Sequence, residues 1–256
     1  MIYLYGLAEA DAWDLSGVLD GLHGLQAPLE VTTVGGWALV HSEQDDQEIL
    51  PRRRLMLTHT RVVEQMLTGG TVLPARFGLV ADSLGQARAL VEGRADVIAR
   101  EFDRIRGAVE LGLRIRFPKE AALTATLAEA PDLRREKERL SGRGAEAHYA
   151  IAEFGGRLAD RVDRRRGKAQ AALLSALKPL ARDHVLRAPE EDTEVLRAEF
   201  LVDRDAQDAF EAAALEAARK LDFAPGEDPA IQLVGPVPVY NFVRLSLSVE
   251  ADEAAA

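Results

Sequence analysis

Leu29-Glu30-Val31-Thr32-Thr33-Val34-Gly35-Gly36-Trp37-Ala38-Leu39-Val40-His41 decides the fold of the amino-terminal half. Two short, β-branched, apolar runs flank a Gly-Gly pair. Glycine reaches positive φ at no steric cost, so the segment reads as two antiparallel strands joined by a tight turn. Ahead of it, Ala12 to Leu22 has helical spacing (Trp13, Leu15, Val18, Leu19, Leu22), preceded by a β-rich run from Ile2 to Ala8. Behind it, Pro51 opens a helix to about Leu67. Its Leu55, His59, Val62 and Met66 share one face, and Gly69-Gly70 stops it before a strand over Thr71–Phe77. The order is β-α-β-β-α-β, the split pattern of a ferredoxin-like sandwich.

A helix is expected next from Leu84 to Arg106, with Leu84, Val91, Ile98 and Ile105 spaced by seven on an amphipathic stripe. The second half starts with an alternating strand, Val109 to Phe117, ended by Pro118. A long helical region then runs from Pro131 to Arg187, with breaks expected at Gly142, Gly144, Gly155-Gly156 and Gly167 and an end or kink at Pro179. Val185–Ala188 and Val195–Val202 form a hairpin, Asp205 caps a helix to Leu221, and Ile231–Val234 and Tyr240–Val249 supply the last strands. The fold class is therefore α+β in two domains, 1–107 and 108–249. Each is a split β-α-β-β-α-β arrangement, the second with a long broken helical insertion, and residues 250–256 form a disordered tail.

Composition excludes several classes of function. The chain has 256 residues, 47% apolar and 29% charged, enough to bury a core without staples. It has no cysteine, which removes thiolate catalysis, Fe–S clusters and disulfide scaffolds. Its net charge of −10 argues against whole-molecule attraction to nucleic acid or an anionic membrane. No apolar run reaches the length of a spanning helix, and Met1–Gly6 lacks the layout of a signal peptide.

Motifs for catalysis or cofactor binding are weak. Gly142-Arg143-Gly144-Ala145-Glu146-Ala147 has the letters of a dinucleotide loop but follows a charged helical stretch where a strand is required. The histidines at 23, 41, 59, 148 and 184 include no i, i+4 pair for a metal, and His59 on its apolar stripe reads as a core residue. Adjacent Asp183-His184 make no triad without a placed nucleophile. Asp45-Asp46-Gln47-Glu48 lacks the ligand periodicity of a calcium loop. No metal, cofactor or catalytic residue is expected.

Charge is unevenly distributed. From Arg134 to Lys168 there are 11 Lys/Arg against 6 Asp/Glu, whereas Pro189–Ala256 holds 16 acids against 5 bases. Arg157, Arg161, Arg164 and Lys168 share a helix face. Glu153–Arg157 and Asp160–Arg164 at i, i+4 would simply support the helix; the other reading is a docking face for an acidic partner.

Two strings carry unusual backbone chemistry. Val72-Leu73-Pro74-Ala75-Arg76-Phe77-Gly78 sets a proline inside a strand, which suits an edge or bulge. Gly235-Pro236-Val237-Pro238-Val239-Tyr240-Asn241-Phe242-Val243 is stiff and extended because two prolines fix φ. Together with Tyr3-Leu4-Tyr5-Gly6, and with Glu110-Leu111-Gly112-Leu113 opening the second half, they resemble the gas vesicle protein F/L family. The matching positions are Tyr3, Tyr5 and Gly6; Val72, Pro74, Arg76, Phe77 and Gly78; and Gly235, Pro236, Pro238, Tyr240, Phe242 and Val243. Val239 stands where a second proline is usual and Val237 where a large side chain is common.

The resemblance spans Ile2 to about Val249. It implies two α+β domains and a non-enzymatic accessory or minor structural protein of gas vesicles, without cofactor. Its expected partners are the small hydrophobic shell protein and other gas vesicle accessory proteins, with no nucleic acid or lipid membrane, and its expected location is the gas vesicle inside the cell. The candidate contact residues are Pro74, Arg76, Phe77, Pro236, Pro238, Tyr240 and Phe242, with Arg157, Arg161 and Arg164 as the basic docking face. Two rival classes stand beside it: a small-molecule-sensing ferredoxin-like regulator, and a hydrolase or transferase, for which the sequence offers no cluster of reactive groups.

Overall fold

The computed structural model describes residues 1–11, 14–143 and 147–245. They form two compact units: Met1–Glu110 joined by the segment from Pro236 onward, and Leu111–Gly235. This grouping differs from limits at 107/108 and 249, because the closing Pro-rich string returns to the first unit.

In the first unit the order is β1 (Ile2–Glu9), α1 (Leu15–Val18), β2 (Leu29–Val34), β3 (Trp37–Glu43), α2 (Arg53–Gly69), β4 (Val72–Pro74), β5 (Val80–Ala81), α3 (Leu84–Glu92) and α4 (Ala95–Ile105). The sheet runs β2-β3-β1-β4, with β5 also on β1. The Gly35-Gly36 hairpin pairs Val34 with Trp37 antiparallel, and Gly35 takes φ +59. Strand β1 pairs antiparallel with both β3 and β4, with a register break between Leu4 and Gly6. Helix α2 buries His59, Val62, Val63, Met66 and Leu67, the face its periodicity marks. Helix α1 is a single turn, with Asp14 accepting from the Gly17 N–H. Ala12 and Trp13, the start of the longer helix expected there, lie outside the described residues.

The single helix expected over 84–106 is two helices. Helix α3 starts on a Ser83 cap that accepts from the Gln86 N–H, and ends where Gly93 and Arg94 turn back onto the Ala89 and Val91 carbonyls. The seven-residue stripe is still buried on both helices (Val91, Ile98, Ile105), so apolar spacing alone does not register the break. Glycine costs a helix interior about 1 kcal/mol, which makes Gly93 the weak point. On α4, Phe102 is fully buried and stacks on Trp37 with ring centroids 4.5 Å apart.

The next elements are β6 (Ala108–Arg116), α5 (Lys119–Ala128), α6 (Pro131–Leu140), α7 (His148–Leu177), β7 (Asp183–Leu186), β8 (Glu194–Asp203), α8 (Gln207–Arg219) and β9 (Ala230–Val237). The sheet runs β7-β8-β6-β9, with β7 and β8 an antiparallel hairpin. Its core joins Leu113, Ile115 and Phe117 to Val195, Phe200, Phe210 and Leu173.

Three further expectations are corrected. Gly155, Gly156 and Gly167 do not break α7, which is continuous for 30 residues, about 45 Å. Its buried Val162, Ala169, Leu173 and Leu177 and its ion pairs outweigh the glycine propensity cost. Asp205 does not cap α8; it lies in a 3₁₀ turn, Arg204–Ala206, that leads into the helix. The described part of Tyr240–Val249 is not a strand. Its backbone donors go to turns and side chains and not to a strand partner: Tyr240 N–H to the Pro238 carbonyl, Phe242 and Val243 N–H to that of Val239, and Asn241 and Arg244 N–H to the Glu110 and Glu101 carboxylates. The last strand is β9, an end strand that tolerates Pro236. Residues 246–249, Gly144 and the tail 250–256 lie outside the described residues.

Candidate functional site

The first unit brings all three strings together. Gly6 faces Pro74 across β1 and β4, and Ala75 N–H donates to the Tyr5 carbonyl at 2.9 Å. A Cβ on Gly6 would sit 2.7 Å from the Leu73 carbonyl oxygen, so only glycine permits this approach. The tyrosines beside it are structural. Tyr5 hydroxyl accepts from Leu25 N–H at 2.8 Å and lies 3.1 Å from Ser42 Oγ. Tyr3 hydroxyl accepts from Gly78 N–H at 3.2 Å, leaving its proton for His59 Nδ1 at 2.8 Å. Phe77, half-buried, sets its ring edge-on to Tyr3 and His59. Burial lowers the His59 pKa to about 4 and raises those of Tyr3 and Tyr5, so this cluster stays neutral at ordinary pH.

The closing string is held by two buried carboxylates. Glu110 accepts from Asn241 N–H at 2.9 Å and from Asn241 Nδ2 at 2.6 Å. Glu101 accepts from the Arg104 guanidinium at 2.7 Å and from Arg244 N–H at 3.3 Å, and the same guanidinium donates to the Phe242 carbonyl. Gly235, inside β9, takes φ +137, a backbone conformation that favours glycine.

Held this way, the two proline-containing strings meet at one small cleft lined by Leu73, Pro74, Ala75, Arg76, Tyr240, Val243 and Leu245. Of the candidate residues, Arg76, Pro236 and Tyr240 are exposed, whereas Pro74, Pro238 and Phe242 are buried and Phe77 is half-buried. Among the described residues Arg76 makes no ion pair. Desolvation, followed by the nearby Glu64 and Glu110 carboxylates, raises the Tyr240 pKa, so its phenol is neutral and can donate.

The basic face belongs to the second unit and is organised differently. Arg157, Arg161 and Arg165 on α7 pair with Glu136 and Asp132 of α6 and with Glu129 just before it; Arg161–Asp132 spans 3.7 Å and Arg165–Glu129 3.1 Å. This ladder between elements stands where i, i+4 pairing was the simple expectation. Arg164 donates through Nε to the Asp160 carbonyl at 3.1 Å.

The residues that sequence reasoning missed are Glu101, Arg104, Glu110 and Asn241. Their pairings span more than 130 positions, and no local spacing marks them. Among the described residues no group of three or more His, Asp or Glu could hold a metal. Gly142 follows helix α6, so the strand a dinucleotide loop needs is missing. Asp183 and His184 sit side by side on β7, with the His184 ring stacked on Phe200.

The model of the family described as gas vesicle synthesis protein GvpL/GvpF matches residues 1–244. The chain belongs to that family. Among the relatives is gas vesicle protein F of Streptomyces sp. (strain CB03234), 28% identical over 242 residues, 94% of this chain and 99% of the relative. Gas vesicle protein F of Dolichospermum flosaquae is 24% identical over 212 residues, 82% of this chain and 85% of the relative. The crystal structure of the gas vesicle protein GvpF from Anabaena sp. PCC7120 superposes with a TM-score of 0.81 at 22% identity, covering 96% of this chain and 98% of that one. The shared architecture is mixed α and β with two sheets. A member of the GvpL/GvpF family is a gas vesicle-associated protein, and the family is not a known enzyme family. No helix of the described residues is long and apolar enough to cross a membrane.

Proposed function

We propose that this protein works without catalysis, as an assembly or minor structural component that binds the small hydrophobic shell protein of the gas vesicle. The supporting observation is the convergence of the two proline-containing family strings on one cleft, backed by the Tyr3–Gly6 strand through the Gly6–Pro74 pair, with Arg76 and Tyr240 exposed at its edge on a frame fixed by Glu101 and Glu110. An apolar shell subunit aggregates if left free, and a partner that covers its apolar surface suppresses this. In this reading Pro74, Pro238 and Phe242 shape the cleft from beneath, Phe77 and Pro236 flank it, Arg76 supplies a charge for a shell-protein carboxylate, and Tyr240 supplies an apolar ring with a donor. Both sheet orders are read as split β-α-β-β-α-β plans, and the protein resides on or at the vesicle.

The test is co-purification with the shell protein. Arg76→Ala combined with Tyr240→Ala is expected to lower recovery about tenfold, as loss of two central contacts does, with circular dichroism unchanged. Undiminished recovery refutes the assignment of the cleft.

A further inference from the structure

The ion-pair ladder of the second unit stops one turn short of the basic row that faces it. Counting along α7, Arg157 meets Glu136, Arg161 meets Asp132 and Arg165 meets Glu129. The two runs are antiparallel, and each step toward the carboxyl end of α7 is a step back along the acidic run. Beyond Glu129 the opposing element is α5, whose last two turns read Ala122-Leu123-Thr124-Ala125-Thr126-Leu127-Ala128, with no acid. The next turn of α7 carries Lys168, and Arg164 stands beside Arg165 on the last paired turn; among the described residues neither Arg164 nor Lys168 makes an ion pair.

These side chains line a cavity of about 320 Å³ with Arg161, Arg165, Thr126, Glu129 and Ala130. Four cations meet one carboxylate in its wall; Asp132, paired with Arg161, and Asp160, a turn before Arg164, are further acids close by. Arg165 forms a fixed wall: 10% of its side chain is exposed, it donates to Thr126 Oγ at 3.1 Å and to the Asp222 carbonyl at 2.6 Å, and it stacks over Phe223. Thr126 Oγ in turn donates to the Ala122 carbonyl at 2.7 Å, so the pre-ordered groups are already satisfied. The free capacity of the cavity lies in Arg164 and Lys168.

We propose that this cavity is a binding site for the carboxylates of an acidic protein segment, which completes the ladder by pairing with Arg164 and Lys168. A protein segment suits it better than a lone anion, because two cations four residues apart lie about 6 Å apart along the axis and call for two carboxylates. It also suits it better than nucleic acid, because no aromatic side chain lines the cavity for base stacking and the chain as a whole carries −10. The inference does not rest on the cleft of Arg76 and Tyr240, and its test leaves that cleft untouched.

The probe is a fluorescein-labelled peptide alternating Glu and Gly, followed by fluorescence anisotropy at about 50 and about 300 mM salt. The full-length protein is expected to bind it, and Arg164→Ala with Lys168→Ala to weaken binding about tenfold. Arg157→Ala, at a position already paired within the chain, should change affinity less than about twofold. Higher salt should weaken the wild type more than the double variant. Equal affinity for the double variant, or for a peptide with Gln in place of Glu, overturns the proposal. Displacement by inorganic phosphate as effective as by unlabelled peptide would make this a site for small free anions, and tighter binding of a single-stranded oligonucleotide would make it a nucleic-acid site. Either result also overturns it.

Discussion

The closing string of the first unit and the basic face of the second are both built on carboxylates, yet they use them in opposite ways. Glu110 is 3% exposed and accepts two Asn241 donors 131 positions away. Glu136 and Asp132 meet Arg157 and Arg161 at the surface, with roughly half of each arginine exposed, Asp132 63% exposed and Glu136 15% exposed. A buried carboxylate with neutral donors fixes one backbone path, because leaving either side unpaired is costly. An exposed ion pair contributes little and exchanges readily. The first arrangement therefore suits a preformed cleft, and the second a surface open to new partners.

The sharpest way to break this comparison is to remove one charged side chain from each region. Glu110→Ala should destabilise the protein by about 2–3 kcal/mol in urea unfolding, since it strands the Asn241 donors and opens a hole in the strand. Arg157→Ala should cost under about 1 kcal/mol in the same measurement. Equal effects would dissolve the distinction.

A second, smaller effect concerns pH and sharpens the account of the first unit. His59 titrates near pH 4 in the folded protein against an ordinary value near 6.5. The unfolded chain thus binds more protons between those limits, so stability is full above about pH 6.5 and falls as pH drops toward 4. Between about pH 7 and about pH 5 this group should remove about 2 kcal/mol. His59→Gln, which retains a polar partner for Tyr3, should flatten that part of the profile in urea titrations at each pH; an unchanged slope would show that His59 is not the group responsible.

Local pattern was the part of this molecule open to reading from residues. The Gly35-Gly36 hairpin, the His59 face of α2 and the proline inside β4 each follow from spacing or from one residue's backbone chemistry. Two helical errors have opposite sources, since glycine content reports propensity and not packing, and periodicity reports which face is buried and not whether the axis continues. It ran through the break at Gly93, while glycine content suggested breaks in α7 that buried Leu173 and Leu177 and the ladder to α6 override. The cleft was half legible. Its strings stand out, but the pairing of Glu110 with Asn241 and the burial of Phe242 arise from a chain return that no local signal encodes. The arginines of α7 were visible as a row, whereas their partners on α6 were hidden because the contact joins two separate helices.

The central claim is that a preformed surface at Arg76 and Tyr240 serves gas vesicle formation through contact, without chemistry. It is tested most directly in cells lacking the gene, complemented with the Arg76→Glu, Tyr240→Ala form at wild-type protein levels, by counting intact vesicles in electron micrographs. The account predicts few or none, with the wild-type gene restoring them. A normal count from the variant would contradict it.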